Sequence, residues 1–176
     1  MMFTAINNAV PQKFRSDKGT IHSYLPLYGA WFSELKKQPI NILEIGVGRG
    51  GSIVLWSKYF EHPETRIYGV DKKRRWQYID DLKDTRVSLI LGDVNNIKFE
   101  FPPLDIVIDD GSHRPCDQIA AFRLLYGLLR PGGYYIIEDI VNDEAISQLL
   151  KVHNFEVCDL RKASGRYDDV LLIARR

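Results

Sequence analysis

The stretch Asn41-Ile-Leu-Glu-Ile-Gly-Val-Gly-Arg-Gly-Gly-Ser52 limits what this chain can fold into more than any other segment. Ile40, Ile42, Leu43, Ile45 and Val47 read as a buried parallel strand. Gly46, Gly48, Gly50 and Gly51 end that run, and Ile53, Val54, Leu55, Trp56 and Tyr59 then open a helical pattern. Strand, glycine turn and helix form the first half of a nucleotide-binding βαβ unit. Its glycines let the backbone approach a ligand, and its helix N-terminus offers unpaired N–H groups. The spacing Gly46-x-Gly48-x-Gly50-Gly51 fits a dinucleotide fingerprint only loosely, so the loop alone does not choose its ligand.

The rest of the chain extends the same architecture. Apolar runs at 66–71, 86–91, 104–108 and 134–137 read as further strands, and the segments 72–83, 115–129 and 142–152 read as helices between or after them. The runs 155–160 and 169–174 are joined by about eight polar residues, too few for a crossover helix, so these two strands must run antiparallel. Residues 1–19 show little periodicity. From Ile21 to Lys37 apolar residues recur at helical spacing, with Pro26 expected to divide the segment. A chain of 176 residues with this pattern is one domain, residues 1–37 forming a helical leader against it.

Composition excludes several classes. A net charge of +1 is too small for a dedicated nucleic-acid binder. No apolar run reaches membrane-spanning length, and no basic segment precedes an apolar core at the N-terminus, so neither anchor nor signal peptide is expected. Cys116 and Cys158 make neither a disulfide framework nor a zinc motif, which fits a reducing, cytoplasmic setting.

Chemistry concentrates at the strand ends. Asp71, about twenty residues past the glycines, suits the hydroxyls of a ribose; as an alternative it caps the next helix. Asp109-Asp110 and Glu138-Asp139 close two strands that, as neighbours about 4.8 Å apart, would crowd four carboxylates onto one edge. Such a cluster needs cations or protons to neutralise it. Oxygen ligands suit magnesium, with manganese or calcium as alternatives, and His113 suits general-base work. Read singly, Asp109 and Asp110 are turn residues, Glu138-Asp139 begins a helix, and His113 is a helix-start residue.

Glu44, two residues before Gly46, completes an E-x-G-x-G-x-G pattern that resembles the first motif of class I S-adenosylmethionine-dependent methyltransferases. That resemblance implies an α/β Rossmann-like fold: a seven-stranded, mostly parallel sheet with a C-terminal antiparallel hairpin and helices on both faces. Asp17-Lys18-Gly19-Thr20-x-His22-x-Tyr24, Ile108-Asp109-Asp110-Gly111-Ser112-His113, Pro131-Gly132-Gly133 and Ile137-Glu138-Asp139 add to it. Together these segments, spanning about residues 16 to 140, resemble the metal-dependent sugar O-methyltransferases typified by macrolide-tailoring enzymes, a family that also has polysaccharide-modifying members.

The resemblance implies a magnesium ion held by Asp110, Glu138 and Asp139, with His113 as general base beside Asp110. It implies S-adenosylmethionine contacts from Thr20, Glu44, Gly46, Gly48, Ser52, Asp71, Asp93 and Asp109. The acceptor would be a sugar hydroxyl on a small molecule, nucleotide sugar or glycan, in a pocket built with Lys18, His22, Tyr24, Tyr28 and Asn142. Work beside a glycosyltransferase and homo-oligomerisation are compatible with it. Two other readings compete. A nicotinamide-dependent sugar oxidoreductase shares the glycine loop and Asp71 but would need a Tyr-x-x-x-Lys pair. A non-catalytic S-adenosylmethionine-binding partner protein would need no intact acid and histidine set.

Overall fold

A computed structural model describes residues 3–76, 79–98 and 100–176. Seven strands, β1 (Asn41–Ile45), β2 (Arg66–Asp71), β3 (Val87–Leu91), β4 (Leu104–Asp109), β5 (Leu129–Ile137), β6 (Glu156–Asp159) and β7 (Val170–Arg175), form one sheet in the order β3-β2-β1-β4-β5-β7-β6. The first five are parallel, while β7 runs antiparallel to both β5 and β6. This is the expected fold, hairpin included. Strand order reverses at β1, which places β1 and β4 side by side with their carboxyl ends at one cleft.

Period-two alternation sorts the strand residues into two layers. Ile42, Ile67, Ile106, Ile108, Ile136 and Ile173 face α1 (Phe3–Ala9), α2 (Leu25–Trp31) and α3 (Gly51–Tyr59). Leu43, Ile45, Val107, Tyr135, Ile137 and Leu172 face α4 (Pro115–Leu125) and α5 (Asp143–Leu150). On the first face, aromatic packing fastens the leader to the sheet. Phe3 stacks on Tyr59 with ring centroids 3.4 Å apart and meets Trp56 edge-on at 5.5 Å; Tyr28 stacks on Phe32 at 5.3 Å.

Several elements differ from the sequence reading. Residues 3–9, which show little periodicity, form α1, with Phe3 and Ile6 buried by tertiary contact. Pro26 does not divide a helix but opens one: it lies in the first turn of α2, where a missing N–H costs nothing. The helix expected over 72–83 is reduced to a single 3-10 turn at Ile79–Leu82, and Lys72–Trp76 are irregular. Four consecutive basic residues, Lys72 to Arg75, leave too little apolar surface to hold a helix there; residues 77 and 78 lie outside the described residues. β5 begins at Leu129 and passes through Pro131-Gly132-Gly133 at an irregularity in its pairing with β4, where proline is tolerated. The turn between β6 and β7 contains a short helix, α6 (Arg161–Ser164).

Candidate active site

A cleft of about 800 Å³ opens at the carboxyl ends of β1, β2 and β4. Its walls include Thr20, Gly46, Gly48, Ser52, Asp71, Asp93, Asp109, Asp110 and His113. The glycine loop is shaped by close approach rather than flexibility. Gly46 has φ +87, and a Cβ there would lie 1.8 Å from the carbonyl oxygen of Asp110. Only glycine lets β1 end against the β4 end. At Gly48, φ +54, a Cβ would meet open space on the cleft side.

Asp71 holds this loop: its Oδ2 accepts from the Gly48 N–H at 2.9 Å and its Oδ1 from the Lys73 N–H at 2.8 Å. It therefore caps backbone and lines the cleft at once. Asp93 lines the same wall and pairs with Lys72 at 3.0 Å. Thr20 is exposed at the mouth, its hydroxyl donating to the Ser16 carbonyl at 3.2 Å. Asp109 borders the cleft from a buried position, accepting from the Gly111 N–H at 3.3 Å, and burial pushes its carboxyl up to about 7.

Glu44 is not a wall residue. It is fully buried beneath the loop, accepting from the Ser52 hydroxyl at 2.6 Å and from the Trp56 indole N–H at 3.3 Å. Alternation along β1 points it toward the leader face, away from the cleft. Burial raises its carboxyl to about 7, with Lys18 and Ser52 opposing the rise.

The four strand-end carboxylates divide. Asp110 and Glu138 lie on the leader face, Asp109 on the other, and Asp139 is turned by a left-handed backbone (φ +55). Oxygen atoms of Asp110 and Asp139 and a ring nitrogen of His113 come within 4.8 Å of one another. His113 is also left-handed (φ +56), and its buried Nδ1 has no hydrogen-bond partner among the described residues. Backbone held in that region at two of three converging positions is strain of the kind functional sites retain. Glu138 lies outside this group of three: it is buried, with its oxygens taken by Lys18 Nζ at 2.6 Å and by the Tyr28 hydroxyl.

Lys18, His22, Tyr24, Tyr28 and Asn142 do not build an acceptor pocket. Asn142 is the N-cap of α5, accepting from the Ala145 N–H at 2.8 Å. The other four are buried behind the carboxylates and hold them in place. Tyr24 donates to Asp139 at 2.6 Å and Tyr28 to Glu138, while His22 Nδ1 lies 3.2 Å from Asp169 and 3.5 Å from Asp139. Lys18 Nζ sits 2.6 Å from Asp110, 2.6 Å from Glu138 and 3.3 Å from Glu44. Burial opposes the ammonium charge, but these three carboxylates outweigh it and raise the Lys18 pKa well above its ordinary value. One ammonium cannot neutralise Glu44, Asp110 and Glu138 together, so burial also drives Glu138 upward. The oxygens of Asp110 and Asp139 beside the His113 ring are donors of the kind a divalent cation takes.

Comparison with known proteins agrees with this fold. A family profile described as "Methyltransferase domain" matches residues 43–140. The chain is 40% identical over 139 residues to 8-demethyl-8-(2-methoxy-alpha-L-rhamnosyl)-tetracenomycin-C 3'-O-methyltransferase of Streptomyces olivaceus, covering 71% of this chain and 34% of that protein. It is 37% identical over 135 residues to mycinamicin VI 2''-O-methyltransferase of Micromonospora griseorubida, covering 69% of this chain and 32% of the relative. The chain thus spans about a third of the length of the curated relatives it matches. Among solved structures, MycE methyltransferase of the mycinamycin pathway in complex with Mg, SAH and mycinamycin VI superposes with a TM-score of 0.66 at 32% identity. That match covers 79% of this chain and 37% of MycE.

Proposed function

The chain belongs to the methyltransferase-domain family, and from that premise we propose that it moves a methyl group from S-adenosylmethionine to a sugar hydroxyl with a divalent cation, magnesium first, at Asp110 and Asp139. The observation that carries this reading is the convergence of Asp110, His113 and Asp139 within 4.8 Å at the edge of the cleft. The donor set fits a hard cation: carboxylate oxygens in excess of the one buried ammonium among them. Glu138, held by Lys18 and Tyr28 beside the site, would be a further carboxylate ligand on the same edge. The named relatives act on sugars of glycosylated antibiotics, which favours a sugar on a small molecule over a polysaccharide as acceptor.

Bound there, the cation would supply charge that makes a sugar hydroxyl more acidic, and the cofactor's sulfonium would supply the methyl group. The chain's own residues do the rest. The Gly46–Gly51 loop, braced by Asp71, offers backbone N–H groups and close approach to the cofactor. His113 would take the hydroxyl proton on its imidazole as the oxygen–methyl bond formed and the sulfur–methyl bond broke, with S-adenosylhomocysteine as the leaving group. Tyr24 and His22 fix the Asp139 carboxylate from behind, as partners of ligands do in metal sites.

Calorimetric titration of S-adenosylmethionine, followed by manganese or magnesium, tests the reading, with turnover on simple glycosides as the second step. Cofactor binding, one metal site lost in Asp110→Asn, and turnover abolished by chelator are the expected results. Full turnover in chelator would remove the metal from the mechanism; failure to bind cofactor would remove the methyl transfer itself.

A further inference from the structure

Asp110 belongs to two groups at once. It is one of the three residues whose ligand atoms converge within 4.8 Å, and it is also a partner of the buried Lys18 ammonium at 2.6 Å. Lys18 reaches it from the leader, on a 3-10 turn (Asp17–Gly19) whose N-cap, Ser16, accepts from the Lys18 N–H at 3.3 Å. The same ammonium holds Glu138 at 2.6 Å and stands 3.3 Å from Glu44, whose other oxygen receives the Ser52 hydroxyl at the start of α3. With 1% of its surface exposed, Lys18 has no solvent route for its charge, and its partners are these carboxylates. A cation is already seated among the groups that a divalent ion would bind.

We propose that Lys18 is the positioning residue of the metal site: a resident counter-cation that holds Asp110 and Glu138 in place and yields them when a divalent ion enters. The inference rests on the methyltransferase reading above. Two cationic centres on one buried carboxylate repel each other strongly, so ion entry at Asp110 should loosen the Lys18 contacts. The leader would thereby sense whether the site is loaded, since Lys18 is part of it.

Lys18→Met in the full chain, with Lys18→Arg as the charge-retaining control, tests this through manganese affinity and thermal stability with and without manganese. Removing the resident cation should lower Tm in chelator, enlarge the manganese-induced rise in Tm, and tighten manganese binding by about tenfold. Lys18→Arg should respond to manganese as the wild type does. Equal loss of stability with and without manganese, with unchanged affinity, would mark Lys18 as a strut and overturn the inference. A second measurement needs no variant: the Lys18 ammonium resonance in ¹⁵N-labelled wild type should shift on magnesium addition, and an unmoved resonance would also overturn it. A wild type that binds cofactor but no manganese overturns the metal reading, and this inference with it; metal binding with an unmoved Lys18 overturns the inference alone.

Discussion

The Tyr24 hydroxyl donates to Asp139 Oδ1 at 2.6 Å across 115 residues of sequence, tying the leader to the end of β5. Tyr24 is fully buried, so this bond is largely shielded from water, and His22 Nδ1 at 3.5 Å braces the same carboxylate. The leader thus forms the back wall of the carboxylate cluster, while Thr20 reaches the mouth of the cleft.

Tyr24→Phe removes that donor together with the hydroxyl's 3.3 Å contact to the Asp168 carbonyl. Manganese affinity should fall by roughly 10- to 100-fold, the usual cost of losing a group that orients a metal ligand, while the fold persists. Calorimetry on the variant checks this, and unchanged affinity would mean that Asp139 does not hold the ion.

His113→Ala should separate chemistry from binding. A lost general base lowers kcat by roughly 10²- to 10⁴-fold while leaving cofactor and manganese affinity close to wild type. A large loss of manganese affinity would instead assign His113 to the ligand set, a role its unpartnered Nδ1 also permits.

Gly46→Ala places a Cβ 1.8 Å from the Asp110 carbonyl oxygen on a residue with φ +87. Both faults act together, so destabilisation of about 2 kcal/mol or more is expected, with loss of metal binding as Asp110 moves. Gly48→Ala has the left-handed backbone without the clash. It should cost only about 1 kcal/mol and weaken the cofactor instead. Denaturant melts of the two variants side by side decide the comparison.

Glu44 predicts a pH dependence. Its folded-state carboxyl titrates at about 7 because burial opposes its charge, against 4.5 for an ordinary glutamate. Below 4.5 it is protonated in both states and contributes nothing. Between 4.5 and about 7 the unfolded chain has lost this proton and the folded chain has kept it, so unfolding releases a proton and rising pH destabilises the fold. Replacing it by Gln should flatten that slope, the difference amounting to as much as about 3 kcal/mol across the window. Tm measured from pH 5 to pH 8 in chelator, wild type against Glu44→Gln, gives the answer; parallel curves would place the Glu44 proton elsewhere.

How much was legible depended on whether a signal was local. Apolar runs, glycine spacing and the short link between 155–160 and 169–174 carried the sheet and its antiparallel hairpin, because strand burial and turn length are set within a few residues. That Asp110, Glu138, Asp139 and His113 gather at one edge was legible because adjacent parallel strands bring their ends together; that Glu138 is held by Lys18 and Tyr28 outside the converging three was not. Period-two parity could also have been applied at the strand ends: Glu44, Asp110 and Glu138 share the face of Ile42, Ile108 and Ile136, whereas Asp109 alternates to the opposite one. That parity separates Asp109 from its neighbours and puts Glu44 under the loop instead of in the cleft.

What the sequence determined by itself is the succession of the seven strands, the glycine loop after β1 and the acids at the ends of β4 and β5, because strand periodicity and turn glycines are local signals. What only the tertiary structure decided is which cation faces those acids. Lys18, Tyr24 and Tyr28 stand at spacings that suit an acceptor pocket or an aromatic core equally well. Their side chains meet Asp110, Asp139 and Glu138 only because α1 and α2 pack on the Trp56 side of the sheet. Desolvation and charge pairing there depend on contacts across more than 90 residues of chain, and no local pattern encodes them.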